Sequence, residues 1–136
     1  MSGELDAIII GAGFGGLTAA IKLKAAGFGN LVVLEKGDRI GGTWRDNTYP
    51  GACCDVPSRL YSLSFALNPD WSRAYSPQPE IRAYMERVAD QFGVTPLFRF
   101  NAEVEKAVWN AAAGRWMVTL KGGETLSAPV LVSGLG

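Results

Sequence analysis

The sequence predicts an α/β fold: a parallel sheet of four strands in the order 3-2-1-4, with a three-stranded antiparallel β-meander inserted before the last strand. Three observations predict it. Ala7–Ile10 is a continuous apolar run that leads into the glycine-rich GAGFGG, as a strand buried on both faces of a parallel sheet does. A second such run, Leu31–Leu34, follows after one helix-length segment. From Val104 onward the hydrophobic period falls to two, the signature of antiparallel strands.

Taken in order, the first strand is Ala7–Ile10. Leu17–Ala26 has a helical pattern closed by Gly27. Leu31–Leu34 is the second strand, with Glu35 at its end. Residues 37–58 read as a long irregular loop, and 59–75 are aromatic-rich without a clear period. Ile81, Tyr84, Met85, Val88 and Phe92 recur at helical spacing, so a helix over Gln78–Phe92 is expected, opened by Pro77 or Pro79 and closed by Gly93. Leu97–Phe100 is the expected third parallel strand. Val104–Asn110, Arg115–Lys121 and Glu124–Ser127 form the meander, with turns at AAAG and KGGE, and Pro129–Ser133 is the fourth strand. Trp109 and Trp116 are expected to pack across the meander, with Met85 and Phe92 facing the core.

Composition sets outer bounds. The 136 residues suit one domain. Lys and Arg balance Asp and Glu at 13 each, and the basic residues are scattered, which argues against a nucleic-acid groove or a membrane-binding patch. No apolar run approaches the ~20 residues of a membrane span, and the acidic start MSGELD does not resemble a signal peptide. The only cysteines, Cys53 and Cys54, are adjacent. Neighbours bridge only with a strained backbone, so both are read as free thiols in a reducing, cytoplasmic setting. The chain has no His. Zinc binding and Ser-His or Cys-His nucleophiles are therefore not expected.

The chemistry lies in the glycine turn. Gly11, Gly13 and Gly16 stand between a strand and a helix, and Glu35 follows Gly16 by 19 residues. This is the context of a Rossmann dinucleotide site. Gly11 permits a tight turn, Gly13 lets backbone approach a pyrophosphate, and Gly16 lets helix and strand pack closely. The helix start near Gly15–Leu17 offers N–H groups and a positive dipole end to phosphates. Glu35 can accept hydrogen bonds from both ribose hydroxyls and would repel a 2′-phosphate, so NADP is not expected at this site. NAD and FAD share the motif. The long excursion through Gly41-Gly42 and the meander favour FAD, whose flavin must reach a second region.

GAGFGG, EKGDRIGGTWRDNTYPGACCDVPSRLYS and VLVSGLG together resemble the N-terminal part of class B flavoprotein monooxygenases. The likeness is to the Baeyer–Villiger type, which uses FAD, NADPH and O₂ to insert oxygen beside a ketone carbonyl. It covers essentially the whole chain, and GGTW…N.YPG…CD.PS is its specific part. The resemblance implies that the loop wraps the flavin. Thr43, Trp44 and Arg45 match positions along the FAD, and Asp46 adjoins them. Asp55 matches an acid beside the flavin and nicotinamide that helps set the charge of a catalytic arginine. Val56 and Tyr61 match further flavin-side positions, and Val104 one whose backbone meets the adenine. Phe14, Gly15, Lys36, Gly42 and Gly134 complete the expected cofactor-binding set. Cys53 stands where the family often has Arg, which weakens any NADP contact at residues 53 and 54.

Such enzymes are several times longer. Their second glycine motif, catalytic arginine and His-containing family sequence have no counterpart here, so residues 1–136 are expected to be the N-terminal part of an incomplete FAD-binding domain, inactive alone. Two other readings stand beside a ketone-oxidising parent enzyme. One is a relative that oxygenates nitrogen or sulfur. The other is a non-catalytic FAD-binding or assembly module. An unpaired edge on the last strand, with Trp44 and Tyr49 uncovered, predicts self-association or a complementary chain.

Overall fold

In this computed structural model residues 4–135 are described. Met1–Gly3, within the acidic start, and Gly136, at the end of the SGLG turn, lie outside the described residues. The parallel sheet contains β1 (Ala7–Ile10), β2 (Leu31–Leu34), β3 (Phe98–Arg99) and β7 (Val130–Ser133), in the order β3-β2-β1-β7. The meander is β4 (Val104–Asn110), β5 (Arg115–Leu120) and β6 (Thr125–Ala128), a separate antiparallel sheet. Both match the expected architecture. The helices are α1 (Phe14–Ala25), α2 (Thr43–Asp46) and α3 (Gln78–Gln91).

The central strand β1 is flanked by β2 and β7 in one register: Ile9 pairs with Val33 and with Val132. Ile8 and Ile9 are both fully buried because each face of the sheet is covered. On one side Leu17, Ala20 and Ile21 of α1 meet Tyr84, Met85 and Val88 of α3 over Ile9 and Val33. On the other, Ile8 and Leu34 pack against Val118, Leu120 and Ala128 of the meander. The meander is thus the second cover of the sheet.

Several boundaries differ from expectation. Helix α1 begins at Phe14, three residues before the first strongly helical residue, Leu17. Gly15 and Gly16 tolerate the helix despite their low propensity. The third strand is shorter than Leu97–Phe100, since a 3-10 turn takes Thr95–Leu97 first. The loop 37–58 contains the short helix α2, which four residues are too few to announce by period. Trp109 and Trp116 do pair across β4 and β5, edge to face at 5.5 Å. Met85 is fully buried, and Phe92 packs against the same core. Among the described residues no helix is long and apolar enough to cross a membrane.

Candidate functional site

The ends of β1, β2 and β7 meet the start of α1 at a point of very close packing. Gly11 has φ +99°, and a Cβ on it would lie 2.6 Å from the carbonyl oxygen of Gly134. Gly134 in turn donates its N–H to Ile10 at 2.7 Å. Gly16 sits under this turn, buried against Gly11. Gly13 caps α1 with extended backbone and no side-chain capping bond, so no side chain at the cap occupies the first N–H groups of the helix.

Above that turn lies a cleft of about 990 Å³, at the upper end of the range typical of ligand pockets. Its floor is Gly11, Gly13 and Gly15. Glu35 and Lys36 line it, as do Thr43, Trp44, Arg45 and Asp46 of α2, Tyr61, Val104 and Gly134; Gly42 and Phe14 also face it. Gly11 and Gly134, at opposite ends of the chain, therefore share one surface. Gly16 lies beneath this cleft. Asp55 and Val56 are exposed and do not line it. Trp44 is half-buried rather than uncovered, whereas Tyr49 is exposed as expected.

The aromatic wall is built by packing. Trp44 Nε1 donates to the Tyr61 hydroxyl at 2.9 Å, and the two rings meet edge to face at 5.7 Å. Phe14 stacks edge-on to Tyr61 at the same distance. Burial pushes the Tyr61 phenol above its usual range, opposed by the Trp44 hydrogen bond, with smaller upward contributions from Cys54 and Asp55. The carbonyl of Trp44 accepts the Gln78 side-chain amide, which ties α2 to the start of α3. Cys53 is exposed and Cys54 buried, both free thiols. Cys54 fills a small space and bonds the Val56 carbonyl at 3.2 Å.

Glu35 was expected to face a ribose. It is nearly buried, 5% exposed, and is engaged on both oxygens. Oε1 accepts the N–H of Ala12, in the middle of the glycine turn, at 2.8 Å. Oε2 accepts the N–H of Gly37 at 2.7 Å and lies 2.8 Å from Arg45 Nη1. A carboxylate offers about four acceptor sites; three are in use, and the one left is on Oε1. Arg45 also reaches Asp46 through Nε at 2.7 Å and Nη2 at 3.0 Å. That hydrogen bond is the main cause that raises the Arg45 guanidinium above its usual value and lowers the Asp46 carboxyl below its own. With its folded value depressed, Asp46 contributes stability above the ordinary carboxylate range, and the contribution disappears as pH falls through the folded value. Exposure of Asp46 to solvent keeps it small. The ion pairs were not legible in the sequence.

The comparisons with known proteins agree with this geometry. Residues 9–88 match the NAD(P)-binding Rossmann-like domain family. A Baeyer-Villiger monooxygenase of Streptomyces coelicolor is 54% identical over 129 residues, covering 94% of this chain and 24% of that protein. The structure of cyclohexanone monooxygenase bound to epsilon-caprolactone superposes with a TM-score of 0.92 at 41% identity, over 96% of this chain and 26% of that one. The OTEMO complex with FAD and NADP gives 0.91 at 36% identity, over 100% and 26%. The chain thus spans about a quarter of the length of these relatives. It belongs to the NAD(P)-binding Rossmann-like domain family, and in sequence and fold it matches the corresponding segment of Baeyer–Villiger monooxygenases.

Proposed function

We propose that the chain forms the part of an FAD site that receives the ADP half, within a flavin-dependent monooxygenase of the Baeyer–Villiger type that uses NADPH, O₂ and small ketones. One observation carries the reading: a single cleft joins the three-glycine turn, the start of α1, Glu35 and the Trp44–Tyr61 wall. The residues fit the group. A Cβ at Gly13 would meet nothing closer than Gly42 Cα at 3.8 Å, so the approach to the helix N-terminus is open. Free N–H groups there suit a pyrophosphate, and Glu35 suits a ribose hydroxyl. Trp44 and Tyr61 supply an apolar wall and exclude water from it. When bound, FAD would supply the oxygen chemistry. Asp55, outside the cleft, is proposed as the acid that sets the charge of an arginine from another part of the protein. The two free thiols support a reducing, cytoplasmic setting.

The test is FAD binding followed by flavin fluorescence. Wild type should bind, and Gly13→Val should lose at least about tenfold in affinity, ~1.4 kcal/mol. Because Gly13 has ordinary extended backbone and a Cβ there would make only an ordinary contact, 3.8 Å to Gly42 Cα, the variant should stay folded. Unchanged FAD affinity in a folded Gly13→Val chain would refute the site.

Association belongs to the same proposal. Among the described residues β7 pairs only with β1, and Val130 on it is 44% exposed. An open strand edge of this kind templates pairing with another chain, so a second copy or a complementary chain is expected there. Light scattering over a concentration series should show growth in mass. A constant monomer mass at the highest concentration would count against it.

A further inference from the structure

The side chain of Arg45 is turned back under the loop, only 10% exposed. It touches Glu35 on one side and both oxygens of Asp46 on the other, and Nη1 also donates to the Arg39 carbonyl at 3.1 Å. The loop is shaped to admit it. A Cβ on Gly37 would lie 2.5 Å from the guanidinium carbon, and one on Gly41 would lie 2.7 Å from Arg45 Cβ. Helix α2 places Arg45 and Asp46 side by side, so the fork of Arg45 is filled by Asp46 and its remaining nitrogen is aimed at Glu35.

We propose that Arg45 is a positioning residue for ribose recognition: clamped by Asp46, it fixes the Glu35 carboxylate so that the acceptor site left on Oε1 is offered to a ribose hydroxyl. This rests on the reading of Glu35 as the ribose acid. Oε2 is held by Arg45 and Gly37, and Oε1 is held at one point by Ala12. The carboxylate plane is thereby fixed by three donors on two loops. Removing Arg45 leaves each oxygen with one amide donor, so the carboxylate is held less firmly. The guanidinium is planar and bidentate, so Lys reproduces the charge and not the clamp.

The experiment compares ADP with 2′,3′-dideoxy-ADP by calorimetry on the full chain. Wild type should prefer ADP by about tenfold. Arg45→Gln should bring the ratio close to one, whatever the change in dideoxy-ADP affinity, and Arg45→Lys should give an intermediate ratio. Asp46→Asn, which loosens the clamp without touching Glu35, should also lower the ratio and is the variant to read if Arg45→Gln does not fold. A purely structural Arg45 would weaken both nucleotides alike and keep the ratio, which would overturn the proposal. A wild type that binds both nucleotides equally would remove the ribose reading of Glu35, and this inference with it. Absence of binding by either nucleotide, with FAD still bound, would do the same. If wild type binds neither FAD nor ADP, the FAD reading itself fails and carries the inference down with it.

Discussion

Gly16→Ala is expected to cost the chain much of its stability. A Cβ at that position would stand 1.7 Å from the Gly11 carbonyl oxygen and 2.9 Å from its carbon. Both neighbours are backbone and cannot rotate aside. Gly11 cannot retreat either, because its own position is bounded by the Gly134 carbonyl, and Gly134 is in turn held against Gly16 and Ile10. One added methyl group therefore has to separate α1 from β1 or β1 from β7. Overpacking usually costs 1–3 kcal/mol; with no flexible side chain to give way, about 3 kcal/mol or more is expected. Against the 5–15 kcal/mol that holds an ordinary domain together, this should lower the melting temperature by roughly 10 °C. Gly29→Ala is the control, since a Cβ there meets nothing within 4 Å. Thermal unfolding followed by circular dichroism would read both. Equal melting of Gly16→Ala and wild type would mean that α1 does not pack this closely on β1.

The same glycines explain what could be read in advance. Buried parallel strands announce themselves as apolar runs, so Ala7–Ile10, Leu31–Leu34 and Val130–Ser133 were legible, and with the glycine turn they gave the sheet order. The meander was legible through its period, and its register followed well enough to pair Trp109 with Trp116. The start of α1 was not. Phe14-Gly15-Gly16 has poor helix propensity, and the glycines are there for contacts that only the folded chain makes. Helix α2 was hidden for another reason: four residues are about one turn, too short for periodicity. The Glu35–Arg45–Asp46 chain was hidden because its central contact depends on a loop returning beneath itself. Most of the expected cofactor-binding residues meet in the cleft, from Gly11 to Gly134. Asp55 and Val56 are not among its lining residues.

Glu35→Ala should do two things that can be separated. The first is to the fold. Its carboxylate receives Ala12 N–H, Gly37 N–H and Arg45, and it is nearly buried. Removing it strands two amide donors and half the charge compensation of Arg45. Breaking a buried pair typically costs 3–5 kcal/mol; Asp46 still holds Arg45, so about 3 kcal/mol is expected. Glu35→Gln keeps the shape and one acceptor and should fall between. The second effect is on the nucleotide, where a lost charged hydrogen bond should weaken FAD by about 1–3 kcal/mol, roughly tenfold to a hundredfold. A ligand that binds only the folded state raises stability according to its concentration relative to Kd. FAD should thus protect wild type more than Glu35→Ala, and the gap between their urea midpoints should widen as FAD is added. A gap present without FAD and unchanged by it would assign Glu35 to holding the glycine turn and Arg45 alone. A gap seen only with FAD would assign it to the nucleotide alone. The wiring of its two oxygens, three donors bound and one acceptor site open, favours both roles at once.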